Sequence, residues 1–345
     1  QTIAGVLGEI GYTHAAPALK ELAEADGVES FVRDAARRAL DDLNAGDLDL
    51  SALYTALARE YFMDAGALVA YPTESRNILW RYDQTLLLEP VAVPTPIFDD
   101  LMAMRNAIRA LELDPANDAA VGIFVAANLR RENELRNNLT DPILGDLDYT
   151  PDFYATVFGT RTSLDVLALA LENNDTLLIR DAIAALAKTT GGANLFGSGG
   201  SFSGSPLVAS LRYPDRRTQY EAAIVLGQAL PREDFSDSGA VVNTLASAVR
   251  TGNMLFAGVV APSNEDAAAY AASLEGMGYT VVGTGRDFSE LRPQLQQAPG
   301  IDLMLVRVRN ASDGEALYER VRALPQTTAV PLLMIADGGA VTTLR

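Results

Sequence analysis

The chain has 345 residues, 45 acids against 27 bases, a net charge of −18, no Cys and one His, His14. These counts exclude disulfides, thiolate nucleophiles and Cys/His zinc sites. They confine any Ser-His-acid chemistry to His14, and neither Lys20 nor Lys188 stands in the Gly-Lys-Ser/Thr context of a Walker A loop.

The same acidity argues against a nucleic-acid footprint and against an anionic membrane surface, since both need a basic face, although a local Arg-rich patch stays open. No apolar run is long enough for a transmembrane helix. The first residues carry no basic n-region of a signal peptide. The compartment stays open between the cytoplasm and export after signal cleavage.

In chain order, residues 1–44 read as three short helices. Ile3, Val6, Leu7 and Ile10 have helical spacing that stops at Gly11. A second helix carries Ala15, Ala18, Leu19 and Leu22, with Thr13 as N-cap and Pro17 in its first turn. A third carries Phe31, Val32, Ala35, Ala36, Ala39 and Leu40, introduced by Ser30. Asp41, Asp42, Asp47 and Asp49 form an acidic turn without the Gly and Glu of a calcium loop.

Residues 51–136 read as helical with larger side chains, among them Tyr54, Tyr61, Trp80 and Tyr82, and with prolines 90, 94 and 96 breaking the helices. At Leu113-Asp114-Pro115-Ala116-Asn117 one helix stops and the next begins. This boundary resembles the end of a tetratricopeptide repeat and covers one degenerate repeat within 51–150. Arg130-Arg131, beside Glu132 and Glu134, reads as a solvated helix face.

Between 151 and 252 the helix pairs return. Ile179-Arg180-Asp181-Ala182 repeats Val32-Arg33-Asp34-Ala35, and Pro-Asp turns precede Ala-rich helices such as Ala222-Ala223-Ile224-Val225-Leu226-Gly227. In residues 191–205, ten of 15 are Gly or Ser, which reads as a surface loop and matches neither a dinucleotide fingerprint nor a nucleophile elbow. The recurring short helix pairs resemble bacterial HEAT-like repeats over 1–50 and 151–252, which implies an α-solenoid with an extended protein-binding surface.

From 254 to 345 the period changes. Apolar runs at Leu255–Val260, Tyr279–Val282, Ile301–Val308 and Val330–Ile335 alternate with helices at Ser263–Gly276, Phe288–Gln297 and Ser312–Leu324. Ser263 and Asp266 have capping-box spacing. Strand–helix alternation with apolar strands predicts a parallel sheet covered on both faces.

The segments Val259-Val260, Ser263-Asn264-Glu265-Asp266, Ile301-Asp302-Leu303-Met304-Leu305-Val306 and Val330-Pro331-Leu332-Leu333-Met334-Ile335 resemble a response-regulator receiver domain, which implies a flavodoxin-like scaffold. The pattern departs where receiver chemistry sits. The Mg²⁺-holding acids fall on Ala261 and Pro262, the phosphate-accepting Asp on Arg307 or Val306, the Ser/Thr on Ala336, and no Lys follows Lys188. Such a set cannot cage a hard cation. The expectation is a pseudo-receiver, incomplete after its fourth strand, in a chain that is a fragment or whose ends are completed by other chains.

The remaining candidates each carry two readings. His14 reads as a capping or partly exposed side chain rather than a catalytic base. Trp80, with Arg81 and Tyr82, reads as core packing between repeats or as an interface anchor. Arg33, Arg37, Arg38, Arg216 and Arg217 read as bridges to neighbouring acids or as contacts to an acidic partner segment.

The sequence therefore predicts a mainly α solenoid of helical hairpins plus a C-terminal α/β domain, working as a non-enzymatic interaction scaffold. It predicts protein partners in a hetero- or homo-oligomer, no catalytic, cofactor or metal site, no nucleic acid and no membrane insertion. The alternative is regulation through the receiver-like domain. A third class is a lyase-like enzyme, since some HEAT-like proteins resemble bilin lyases, but nothing in the sequence points to a pigment pocket.

Overall fold

The computed structural model describes residues 2–64, 66–83, 87–135, 139–144, 149–189, 205–229 and 238–336. All but Ser205 of the Gly/Ser segment, and the last residues 337–345, lie outside them. The chain divides into two compact units, Gln1–Leu169 and Ala170–Arg345. It is mainly helical, with an α/β region at the C-terminal side.

The first unit begins with α1 (Thr2–Glu9), α2 (Ala16–Glu24), α3 (Ser30–Asp42) and α4 (Leu50–Phe62). Their shared core is built on alanines: Ala4, Ala16, Ala23, Ala35, Ala36 and Ala39 are buried together with Leu19, Leu40 and Leu53. Small side chains let the helices approach closely. At Gly8 a Cβ would lie 2.9 Å from the Ala39 Cα, so the α1–α3 crossing requires glycine there.

Two expected caps are displaced. Thr13–Ala15 forms a short 3₁₀ turn, with Pro17 in the first turn of α2, and Ser30 lies inside α3 behind Glu29, which makes no side-chain cap bond. Asp49 does cap α4, accepting from the Ala52 amide at 2.9 Å.

α5 (Thr95–Leu113) and α6 (Asp118–Leu135) pack in series on α4, followed by α7 (Pro151–Val157) and α8 (Gly159–Glu172), which continues into the second unit. Asn117 joins three elements. Its Nδ2 donates to Ser51 Oγ at 2.8 Å and Thr55 Oγ1 at 2.9 Å on α4, while its Oδ1 accepts the Ala120 amide of α6 at 3.1 Å. Ser51 Oγ in turn donates to the Ala110 carbonyl of α5 at 3.0 Å.

Residues 51–136 are not helical throughout. β1 (Arg76–Asp83) and β2 (Leu87–Pro94) form an antiparallel two-stranded sheet, with Trp80 opposite Pro90 and Tyr82 opposite Leu88. An edge strand tolerates proline because its outward N–H positions need no partner, so Pro90 and Pro94 fit β2 as well as they would break a helix. Asn77, fully buried, fixes the base of the hairpin: its amide donates to the Tyr71 carbonyl at 3.0 Å and to Thr95 Oγ1 at 2.9 Å, and its oxygen accepts the Tyr71 amide at 3.0 Å.

In the second unit, α9 (Thr176–Thr189), α10 (Pro206–Ala209), α11 (Arg216–Gln228) and α12 (Ser238–Thr251) precede the sheet. Arg180 of α9 grips Glu221 of α11 at 2.7 Å, and Asp215 caps α11 through the Thr218 amide at 2.8 Å. Then come β3 (Leu255–Val260), α13 (Asn264–Gly276), β4 (Tyr279–Gly285), α14 (Phe288–Gln297), β5 (Leu303–Arg307), α15 (Ala311–Arg322), α16 (Pro325–Thr328) and β6 (Leu332–Ile335).

All pairings are parallel, in the order β4-β3-β5-β6. One face packs Leu291, Leu295, Met304, Val306 and Val321; the other packs Ala257, Val259, Ala267, Leu274 and Leu305. α14 lies so close to the sheet that a Cβ on Gly258 would meet Leu291 Cδ2 at 3.1 Å and Leu295 Cδ2 at 3.2 Å. Ser263 caps α13 through the Asp266 amide at 3.0 Å.

Candidate functional site

Alternation on the hairpin assigns its two faces. Asn77, Leu79 and Val93 turn inward and are buried. Ile78, Trp80, Tyr82, Leu88, Pro90 and Ala92 share the other face, and every one of them is exposed and apolar or aromatic. Trp80 is 53% and Tyr82 67% exposed, so Trp80 is not the core residue that packing between repeats would require.

Trp80 and Tyr82 also line a groove of about 1280 Å³ in the first unit, whose apolar wall includes Leu101, Met102, Met104 and Ile108 of α5. Arg105 on that helix donates to the Trp80 carbonyl at 2.9 Å and so ties β1 to the groove floor. The opposite wall is His14, Pro17 and Glu21. The His14 ring stands edge-on to Tyr12 at 5.1 Å, and its buried Nδ1 has no hydrogen-bond partner.

Charge along the groove is internally matched. Arg109 reaches Glu21 and Glu112, each at 2.8 Å, and these carboxylates hold its pKa above the ordinary value. Burial, reinforced by the neighbouring Glu21, pushes the Tyr54 hydroxyl up to about 12. The segment ending at Leu144 closes one end of the groove, and Asp141 shapes it by accepting the Ile143 amide at 2.8 Å.

Asp141 is itself held by Arg131 at 2.7 Å. This corrects the expected solvated face: Arg130 is 9% and Arg131 2% exposed. Arg130 binds Asp100 at 2.7 Å and Asp64 at 3.2 Å, with its guanidinium 4.4 Å over the Phe62 ring. Buried charges survive only when paired in this way. Next to this network, Asp99 is half-buried with an orphaned Oδ1. Burial, then the Asp64 charge, push its carboxyl up to about 6, against the pull of Arg130.

The other candidate residues do not converge. Arg33 and Arg37 line a separate polar depression with Lys20, Glu24, Asp41 and Asp47, and Arg37 pairs with Asp34 of its own helix at 3.2 Å. Arg38 is exposed on α3. Arg216 is turned onto its own unit: it stacks over Tyr220 and Phe256 and hydrogen-bonds Tyr220 and Thr251. Arg217 reaches Asp302 at 3.4 Å.

At the carboxyl ends of the parallel strands, Ala261 is buried and donates its amide to the Gly285 carbonyl at 3.0 Å. Arg307 ends β5 and donates to the Tyr270 hydroxyl at 3.4 Å, while Ala336 follows β6 half-buried. Together with Pro262, these positions offer no carboxylate to a cation. Among the described residues, no group of three or more His, Cys, Asp or Glu could hold a metal ion, and no helix is long and apolar enough to cross a membrane.

Comparisons with protein-family models, curated proteins and solved structures returned no match. The functional reading therefore rests on the chain's own geometry.

Proposed function

We propose that this chain is a non-enzymatic interaction scaffold that docks another protein in the Trp80 groove. The short helix pairs are read as HEAT-like and tetratricopeptide-like repeats arranged as a solenoid. The C-terminal region is read as a flavodoxin-like pseudo-receiver serving as a second module, since its strand order, second-first-third-fourth, is the one that scaffold uses.

The observation that carries the reading is the uncovered hairpin face. A two-stranded sheet gains nothing by placing Ile78, Trp80, Tyr82 and Leu88 in water, and contiguous exposed apolar patches mark interaction sites. Trp, Tyr and Arg dominate binding hot spots. Here Trp80, Tyr82, Arg81 and Arg105 line one groove of interface scale. The occupant that fits is a partner segment presenting apolar side chains to Trp80 and Tyr82.

Co-purification on the tagged full chain, beside its W80A/Y82A variant, tests this. The expected result is a stoichiometric partner on the wild type and its loss from the variant, since removing a hot-spot aromatic costs about 2 kcal/mol or more, roughly 30-fold in affinity. A partner retained equally by both, or a partner-free monomer in both, overturns the reading. A homodimer split by the same substitutions replaces the foreign partner with a second copy.

A further inference from the structure

We propose that the cleft at the carboxyl ends of β3, β4 and β5 binds a phosphoryl-bearing anion, free phosphate or the head group of a small phosphomonoester. This inference is independent of docking at Trp80.

Because the three strands are parallel, the loops leaving them open on the same edge of the sheet. They enclose a cleft of about 270 Å³ lined by Pro262 after β3, Arg286 and Asp287 after β4, Arg307 and Arg309 at and beyond the end of β5, and Arg320 of α15. In open α/β sheets this edge is where ligands bind. The volume is below that of drug-sized pockets, so it suits one phosphoryl group with the rest of the ligand projecting into solvent.

The charge is what selects the ligand. Four arginines line the cleft beside two carboxylates, Asp287 and Asp313, in a chain whose net charge is −18, with the Arg307 guanidinium donating to the Tyr270 hydroxyl at 3.4 Å. Both carboxylates already have work in the local structure. Asp287 caps α14, accepting the Ser289 amide at 2.8 Å, the Ser289 hydroxyl at 2.6 Å and the Glu290 amide at 3.2 Å. Asp313 accepts from Asn310 Nδ2 at 3.1 Å.

Arg286 is spent on Glu290 at 2.7 Å, while Arg320 acts on Asp287 without a direct ion pair, helping the Ser289 hydroxyl to hold that carboxyl below its ordinary value. Like charges gathered in one cleft repel, and an anion between them relieves that repulsion. Arg in particular supplies forked donors that match the oxygens of a phosphoryl group. On the receiver-like reading, the place of the phosphate-accepting acid falls on Arg307 or Val306, neither of which can form a phosphoryl bond, so the cleft is proposed to hold a phosphoryl group non-covalently.

Calorimetric titration of the full chain with inorganic phosphate, AMP and adenosine tests the proposal. The expected result is saturable binding of phosphate or AMP with a Kd of about 1 mM or tighter, weakened by added salt, and no binding of adenosine. Tighter binding of AMP than of phosphate assigns a phosphomonoester, and the reverse assigns the free ion.

R309Q/R320Q should weaken binding about tenfold or more, since each substitution removes a charge-assisted donor. Both side chains are exposed, so the variant should keep its circular dichroism and melting temperature. If the double variant unfolds, R320Q alone carries the same test. No saturation up to about 10 mM, binding unchanged by the substitutions, or equal binding of adenosine and AMP overturns the proposal.

Discussion

The β1–β2 hairpin and the β3–β6 sheet are both built from short runs of Val, Ile, Leu and aromatic residues, but only one of them is covered. In the parallel sheet, helices close on both faces, and Leu291, Met304 and Val306 lose all contact with water. In the hairpin, the inward face is locked by Asn77, Leu79 and Val93, while the outward face leaves Trp80 and Tyr82 more than half exposed. Apolar residues in a covered sheet are accounted for by folding. In an uncovered one they are left in water, and this is the observation on which the proposed docking surface rests.

Substitutions can break or sharpen this contrast, and the largest effect belongs to the groove's buried support. R131A leaves the Asp141 carboxylate buried without its partner and should cost about 3–5 kcal/mol in chemical denaturation, because the side chains of Arg131 and Asp141 are only 3% and 2% exposed. On the covered sheet, L291A opens a cavity under α14 and should cost about 3 kcal/mol by the same measurement.

D99N comes next. The Asp99 carboxyl, ordinarily at 3.8, is pushed up to about 6 in the folded chain, chiefly by burial. The folded state therefore holds that proton more tightly than the unfolded chain does. The stability this adds is fully present below pH 3.8 and lost as pH rises through about 6. Replacing the carboxyl by an amide should flatten that decline and stabilise the protein at pH 7 by about 1 kcal/mol, a figure reduced for partial solvation. Smallest is W80A, which should change unfolding stability by about 0.5 kcal/mol or less. A loss near that of L291A would mean that Trp80 packs like a core residue and would erase the contrast between the two sheets.

The two sheets also differ in how far they could be read from the sequence. Parallel strands covered on both faces are continuous apolar runs, and the strand Leu255–Val260 and the helix Phe288–Gln297 stand where the pattern placed them. The hairpin carries apolar residues on both faces, so Ile78, Leu79 and Trp80 show no polar alternation, and its prolines imitate helix breakers. Its register depends on pairs such as Ile78 with Ala92, which local periodicity does not contain.

Arg130 and Arg131 read as solvated because Asp100, Asp64 and Asp141 lie 30, 66 and 10 residues away. The basic cleft was missed for a similar reason. Arg286, Arg309 and Arg320 line one cleft only because parallel strands bring the loops after β4 and β5 and the helix α15 to the same edge. The available signal is the lack of an acid at Arg307 or Val306, where the receiver-like pattern places one.

Trp80 is the single tryptophan in the chain, so its emission reports on the proposed docking surface alone. The most direct test is to select displayed random peptides against the full chain, counter-select against W80A/Y82A, and titrate the tryptophan-free survivors while recording emission. The account predicts apolar-rich peptides that bind saturably, shift the Trp80 emission to the blue and fail to bind the variant. Peptides that leave the Trp80 emission unchanged, or that bind the variant equally well, would contradict it.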